Sequence, residues 1–125
     1  MKKPFLMLAA GCALASGGTL FLGAYPDSII VFDETKGQIT DRIHLDTGLP
    51  TGLRLSVDHK RIYVTTIDHS GLEVIDVATH KVLNHFVLST ETKRFRIGGG
   101  TADPADKLYY TVTAEMNKQI GRAHV

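Results

Sequence analysis

An all-β chain built of repeated four-stranded antiparallel units is the fold class this sequence predicts, and three observations predict it. Ser28-Ile29-Ile30-Val31-Phe32-Asp33 and Gly71-Leu72-Glu73-Val74-Ile75-Asp76 follow one plan, 43 residues apart and without a gap. The match runs on to Leu45 and Leu88, with apolar exchanges Ile29/Leu72, Phe32/Ile75, Ile39/Val82 and Ile43/Phe86. A second echo sets Arg61-Ile62-Tyr63-Val64 against Lys107-Leu108-Tyr109-Tyr110, 46 residues on. Thirdly, each apolar segment beyond the N-terminus is short, rich in β-branched residues and bounded by turn formers, and none keeps a helical period over three turns. Periods of about 40–45 residues built from short strands mark the blades of a β-propeller.

Taken in order, the first strand is expected at 19–23, followed by the turn Tyr25-Pro26-Asp27. Strands at 28–33 and 38–45 flank a hairpin loop at 34–37, and 46–50 crosses over, punctuated by Gly48 and Pro50. Strands then follow at 52–56, 61–67, 72–77 and 82–88, joined by polar turns short enough for antiparallel hairpins. A longer polar crossover at 89–94 leads to a strand at 95–102, interrupted by Gly98-Gly99-Gly100, and Asp103-Pro104-Ala105-Asp106 turns into a last strand at 107–113. The expected product is a β-propeller fragment with a partial blade at 19–45, a complete one at 52–88 and a partial one at 95–113. Blades bury both faces against neighbours, so Ile62-Tyr63-Val64 need not alternate in polarity. Rings hold about four to eight blades of four strands. A chain of 125 residues is too short to close one, and in isolation it is expected to leave blade faces exposed and prone to aggregate.

Both ends are expected to lie outside the repeat. Lys2-Lys3, an apolar run through Leu14 and the small-x-small Ala13-Leu14-Ala15 form an export signal at 1–15, too short to span a bilayer. The product would be periplasmic or secreted; alternatively, Ala9-Ala10-Gly11-Cys12 would serve as a lipoprotein box with Cys12 acylated. The propeller fragment would occupy 16–119. Ile120-Gly121-Arg122-Ala123-His124-Val125 can be encoded as ATC GGA AGA GCA CAC GTC, which resembles the start of a common sequencing adapter. The adapter's preceding AG completes a codon for Gln119 and its next triplet is a stop, so 120–125 is expected to be a non-native tail.

Composition narrows the function classes. A net charge of +1 supplies no electrostatic reason to expect nucleic acid or an anionic membrane as partner. The absence of Trp excludes the Trp-Asp pair of WD-type repeats, and the lone Cys12 excludes an internal disulfide or a cysteine-cluster metal site.

Pro50-Thr51-Gly52-Leu53-Arg54-Leu55-Ser56-Val57-Asp58-His59-Lys60-Arg61-Ile62-Tyr63-Val64-Thr65-Thr66 resembles the YVTN-type propeller repeat, whose pattern is close to P-H-G-L-A-L-S-P-D-G-K-R-L-Y-V-T-N. That pattern continues V-x-V-I-D-x-A-T-G-K-V, matched here by Glu73-Val74-Ile75-Asp76-Val77-Ala78-Thr79-His80-Lys81-Val82. The resemblance covers 19 to about 113 and implies an exported bacterial propeller of about seven blades in full. Its relatives include propeller subunits of quinohemoprotein amine dehydrogenase and methylamine dehydrogenase, and cell-envelope proteins of unassigned role. Three positions depart from it. Thr51 replaces the His after Pro, and His59 and His80 replace turn glycines that supply a positive φ at little cost.

No catalytic residue or cofactor is assigned. Asp68, His69 and Ser70 are adjacent in sequence, which is the wrong geometry for a triad assembled in space. The histidines lack H-x-H or H-x₃-H spacing, so no metal site is expected. Gly98-Gly99-Gly100-Thr101 lacks the G-K-[ST] ending of a phosphate cradle and is expected to be a flexible turn. Asp103 and Asp106 are expected to form a turn, and Lys93, Arg94 and Arg96 a solvated crossover loop. Asp33 and Asp76 are expected to accept backbone N–H bonds of the hairpins that follow them. Thr51 and Arg54 are the ligand-binding candidates, because the innermost strand of a blade lines the channel; Arg54 is expected to pair with a carboxylate or to face an anion. The expected function is a binding or interaction scaffold whose partner, a protein or a small molecule, docks at the channel face. The alternative is the propeller subunit of an amine dehydrogenase-like enzyme, or a lactonase-like hydrolase.

Overall fold

A computed structural model describes residues 17–68 and 70–116, so the export signal expected at 1–15 and the non-native tail expected at 120–125 lie outside the described residues. Nine strands follow one another: β1 (Thr19–Ala24), β2 (Ser28–Asp33), β3 (Gln38–His44), β4 (Pro50–Leu55), β5 (Arg61–Thr66), β6 (Gly71–Asp76), β7 (Val82–Val87), β8 (Arg94–Ala102) and β9 (Tyr109–Met116). They form three antiparallel sheets, β1-β2-β3, β4-β5-β6-β7 and β8-β9, each strand hydrogen-bonded to the next in sequence. The four-stranded sheet has the make-up of one blade.

The 43-residue repeat is visible in the backbone. The N–H of Leu45 donates to the carbonyl of Asp27 at 2.8 Å, as that of Leu88 does to Ser70 at 3.2 Å. A bulge falls between Val31 and Phe32 in the first sheet and between Val74 and Ile75 in the second. Strand-end aspartates act as expected: Asp33 Oδ1 accepts the Lys36 N–H at 3.0 Å, and Asp76 Oδ2 accepts both the N–H and the hydroxyl of Thr79 at 2.7 Å.

Strand alternation gives each sheet two faces. Ile29 and Val31 of β2, with Ile43 and Leu45, point toward the second sheet and meet Ile62, Val64 and Ile75 there, with Phe21, Leu53, Val77 and Val82 around the rim. Fully burying each such aliphatic side chain contributes about 1.5–3 kcal/mol. The opposite face of β5 carries Tyr63 toward the third sheet, where its ring meets Tyr109. From Ile62 to Thr66, β5 is therefore buried on both sides and cannot show a polarity alternation.

Two expectations need correction. The third sheet repeats the second at 47 residues, not 46. The turn closed by His59 N–H to Ser56 O and Ser56 N–H to Arg61 O recurs as Asp106 N–H to Asp103 O and Asp103 N–H to Leu108 O. His59 and Asp106 accordingly share a left-handed φ, 61° and 54°. Tyr109 thus takes the place of Ile62 and Tyr110 that of Tyr63, since a one-residue slip exchanges the faces. Secondly, Gly98–Gly100 is no turn: it lies within β8, at a register shift between Ile97 and Gly100. A side chain on Gly100 would run into the Tyr109 ring, so glycine here lets the aromatic seat against the second sheet.

The histidines that replace turn glycines do adopt positive φ, 61° at His59 and 60° at His80, like 63° at Gly37 in the first unit. His80 has compensation. Its Nδ1 lies 2.7 Å from Asp41 Oδ2 on β3, and its ring meets Phe21 edge-on at 5.7 Å, tying the second hairpin to the first sheet. His59→Gly is expected to stabilise the fold by about 1 kcal/mol by relieving left-handed strain. His80→Gly gives no such gain, because it also removes the contacts to Asp41 and Phe21. Denaturant midpoints of the two variants check this contrast.

Candidate functional site

The crossover from the first sheet to the second is held by a buried carboxylate. Glu73 of β6 is fully buried. The Asp46 N–H donates to its Oε1 at 3.1 Å, while the N–H and hydroxyl of Thr47 donate to Oε2 at 2.8 and 2.6 Å. Behind Thr47, the Thr66 hydroxyl donates to Thr47 Oγ1 at 2.8 Å and itself accepts the Gly71 N–H at 3.2 Å. All donors in this relay point toward the carboxylate, and charge-assisted bonds of this kind offset the loss of hydration. Gly71 is needed for the close approach: a Cβ there would sit 2.5 Å from Thr47 Cβ. Farther along the crossover, Asp68 Oδ2 accepts the Leu49 N–H at 2.7 Å. Sequence reasoning passed over Glu73; the available signal was that Ile30 occupies its place in the first unit.

A cleft runs between the second and third sheets. At its turn end the Tyr63 hydroxyl donates to Asp106 Oδ1 at 2.8 Å, and the Tyr63 and Tyr109 rings lie 5.3 Å apart, tilted by 32°. Arg61, Tyr63, Asn84, Asp106 and Tyr109 line a cavity of about 340 Å³ there. Beside it, Leu72, Phe86, Ile97 and Tyr109 border an apolar cavity of about 240 Å³. Burial pushes the phenols of Tyr63 and Tyr109 above their ordinary range. For Tyr63 the bond to the Asp106 carboxylate adds to this; for Tyr109 the nearby Arg54 works against it.

Thr51 and Arg54 both border this region but do not share a pocket. The Thr51 hydroxyl donates to the Thr65 carbonyl at 3.2 Å and lines a cavity of about 220 Å³ with Thr66, Ser70 and Arg96. Arg54 lies beside Gly99, Gly100 and Tyr110 along an open groove of about 440 Å³. Among the described residues it forms no ion pair, so the expected carboxylate partner is not found there. Arg94 and Arg96 also differ from expectation: they belong to β8, not to a crossover loop, and only Lys93 precedes the strand. They pair with Met116 and Ala114, alternating with Phe95 and Ile97, whose side chains turn toward the second sheet.

The remaining polar candidates serve the turns. Asp103 Oδ1 accepts the N–H groups of Lys107 and Leu108 at 2.6 and 2.8 Å. Ser70 is buried with a φ of 51°, Asp68 is committed to the crossover, and His69 lies outside the described residues. His44 approaches Asp27 at 3.4 Å and Asp46 at 3.9 Å, and His85 approaches Asp46 at 3.8 Å. Among the described residues no group of three or more His, Cys, Asp or Glu is placed to hold a metal ion. Comparison with known proteins finds no matching family model and no matching curated sequence.

Glu73→Ala is expected to destabilise the fold by about 3 kcal/mol or more, since the Asp46 and Thr47 amides each lose a buried acceptor. Thr47→Val, which keeps both backbone donors, costs about 1 kcal/mol. Denaturant titration ranks the variants, and hydrogen exchange at Asp46 and Thr47 reports release of the crossover. A pH profile of stability should fall on both sides. His80 beside Asp41, the Ser56 hydroxyl on Asp58, the Thr79 hydroxyl on Asp76 and the Leu108 N–H on Asp103 hold those carboxyls below their ordinary range. Their contribution is present above about pH 4 and is lost as pH falls through the depressed native values. That of Tyr63 and Tyr109, whose native values are raised, is present below about pH 10 and is lost as pH rises through them. Tyr63→Phe should therefore reduce the alkaline limb to the share that Tyr109 carries and leave the acid limb set by these four aspartates in place.

Proposed function

We propose that this chain is part of an exported β-propeller that acts as a binding or interaction scaffold in the cell envelope. The observation that carries the proposal is the second sheet: four antiparallel strands in meander order, with a neighbouring sheet against each face. The 43-residue period of turns and bulges and the likeness of β4 to β6 to a YVTN-type repeat support the same reading. On this reading β4 is the innermost strand of a blade, and Thr51 and Arg54 border the channel face at which a protein or small-molecule partner docks. A catalytic constellation is not needed for that role; grooves edged by aromatic, hydroxyl and guanidinium groups suit recognition. The signal pattern expected at 1–15 supports export.

Production of the full chain in a Gram-negative host tests the proposal. The mature protein is expected in the periplasmic fraction, beginning after Ala15, and is expected to turn over neither lactones nor primary amines supplied with an electron acceptor. Retention in the cytoplasm with Met1 in place counts against export. Turnover of either substrate class replaces the scaffold with the corresponding enzyme.

A further inference from the structure

We draw no further inference here: the strongest candidate, the cavity of about 220 Å³ lined by Thr51, Thr66, Ser70 and Arg96 between the second and third sheets, belongs to the site already described, its Thr51 and Thr66 hydroxyls donate to the Thr65 carbonyl and to Thr47, and nothing in the structure shows what occupies it.

Discussion

The arrangement of the first two sheets depends on a carboxylate taken out of water. Glu73 is buried where the repeat otherwise supplies an aliphatic side chain, and it gathers the N–H groups of Asp46 and Thr47 with the Thr47 hydroxyl. An unpaired charge in that position would be strongly destabilising, so the crossover must come to it in one geometry. The backbone is thereby fixed just past Leu45, which seats that residue in the core with Ile29, Val31 and Ile43 against Ile62, Val64 and Ile75. Hydrophobic burial supplies the driving force, but it is non-directional. The hydrogen-bonded relay through Thr66 and Gly71 selects the register between the sheets.

The turns show the same division of labour on a smaller scale. Asp33, Asp76 and Asp103 each spend a carboxylate oxygen on the backbone of the following turn, a local role that explains their recurrence without any ligand. Departures from the repeat have a different effect. His80 takes a left-handed conformation that glycine would adopt more easily, and its ring then spans to Asp41 and Phe21 on the neighbouring sheet. Asp106 does likewise, closing a turn at positive φ while accepting the Tyr63 hydroxyl from the second sheet. In both cases a residue that is locally unfavourable makes a contact between sheets. His59, with the same backbone strain, has no contact of that kind among the described residues.

Much of the fold was legible in the sequence. All nine strands and their grouping into sheets of three, four and two follow from short β-branched runs and turn residues, because hairpins are set by local chemistry. The candidate site was legible only in part. Thr51 and Arg54 do lie on the edge strand of the second sheet, yet they border separate concavities, because strand register and the bulge near Pro50 decide what each side chain meets. Glu73 left a trace, as a single break in the repeat against Ile30, that could not be told from a surface glutamate without knowing which face is covered.

What the sequence by itself determined is the local plan: the strands, the hairpins, the aspartate-closed turns and the 43-residue period. Tertiary structure alone decided the quantities that depend on packing between sheets. It moved the third unit from a 46- to a 47-residue offset, which turned Tyr109 inward and Tyr110 outward, and it drew Gly98–Gly100 into a strand so that the Tyr109 ring could seat. The physical reason is the two-residue period of a strand. Sequence similarity can tolerate a slip of one residue, but a packed face cannot, since the slip exchanges every buried side chain for an exposed one.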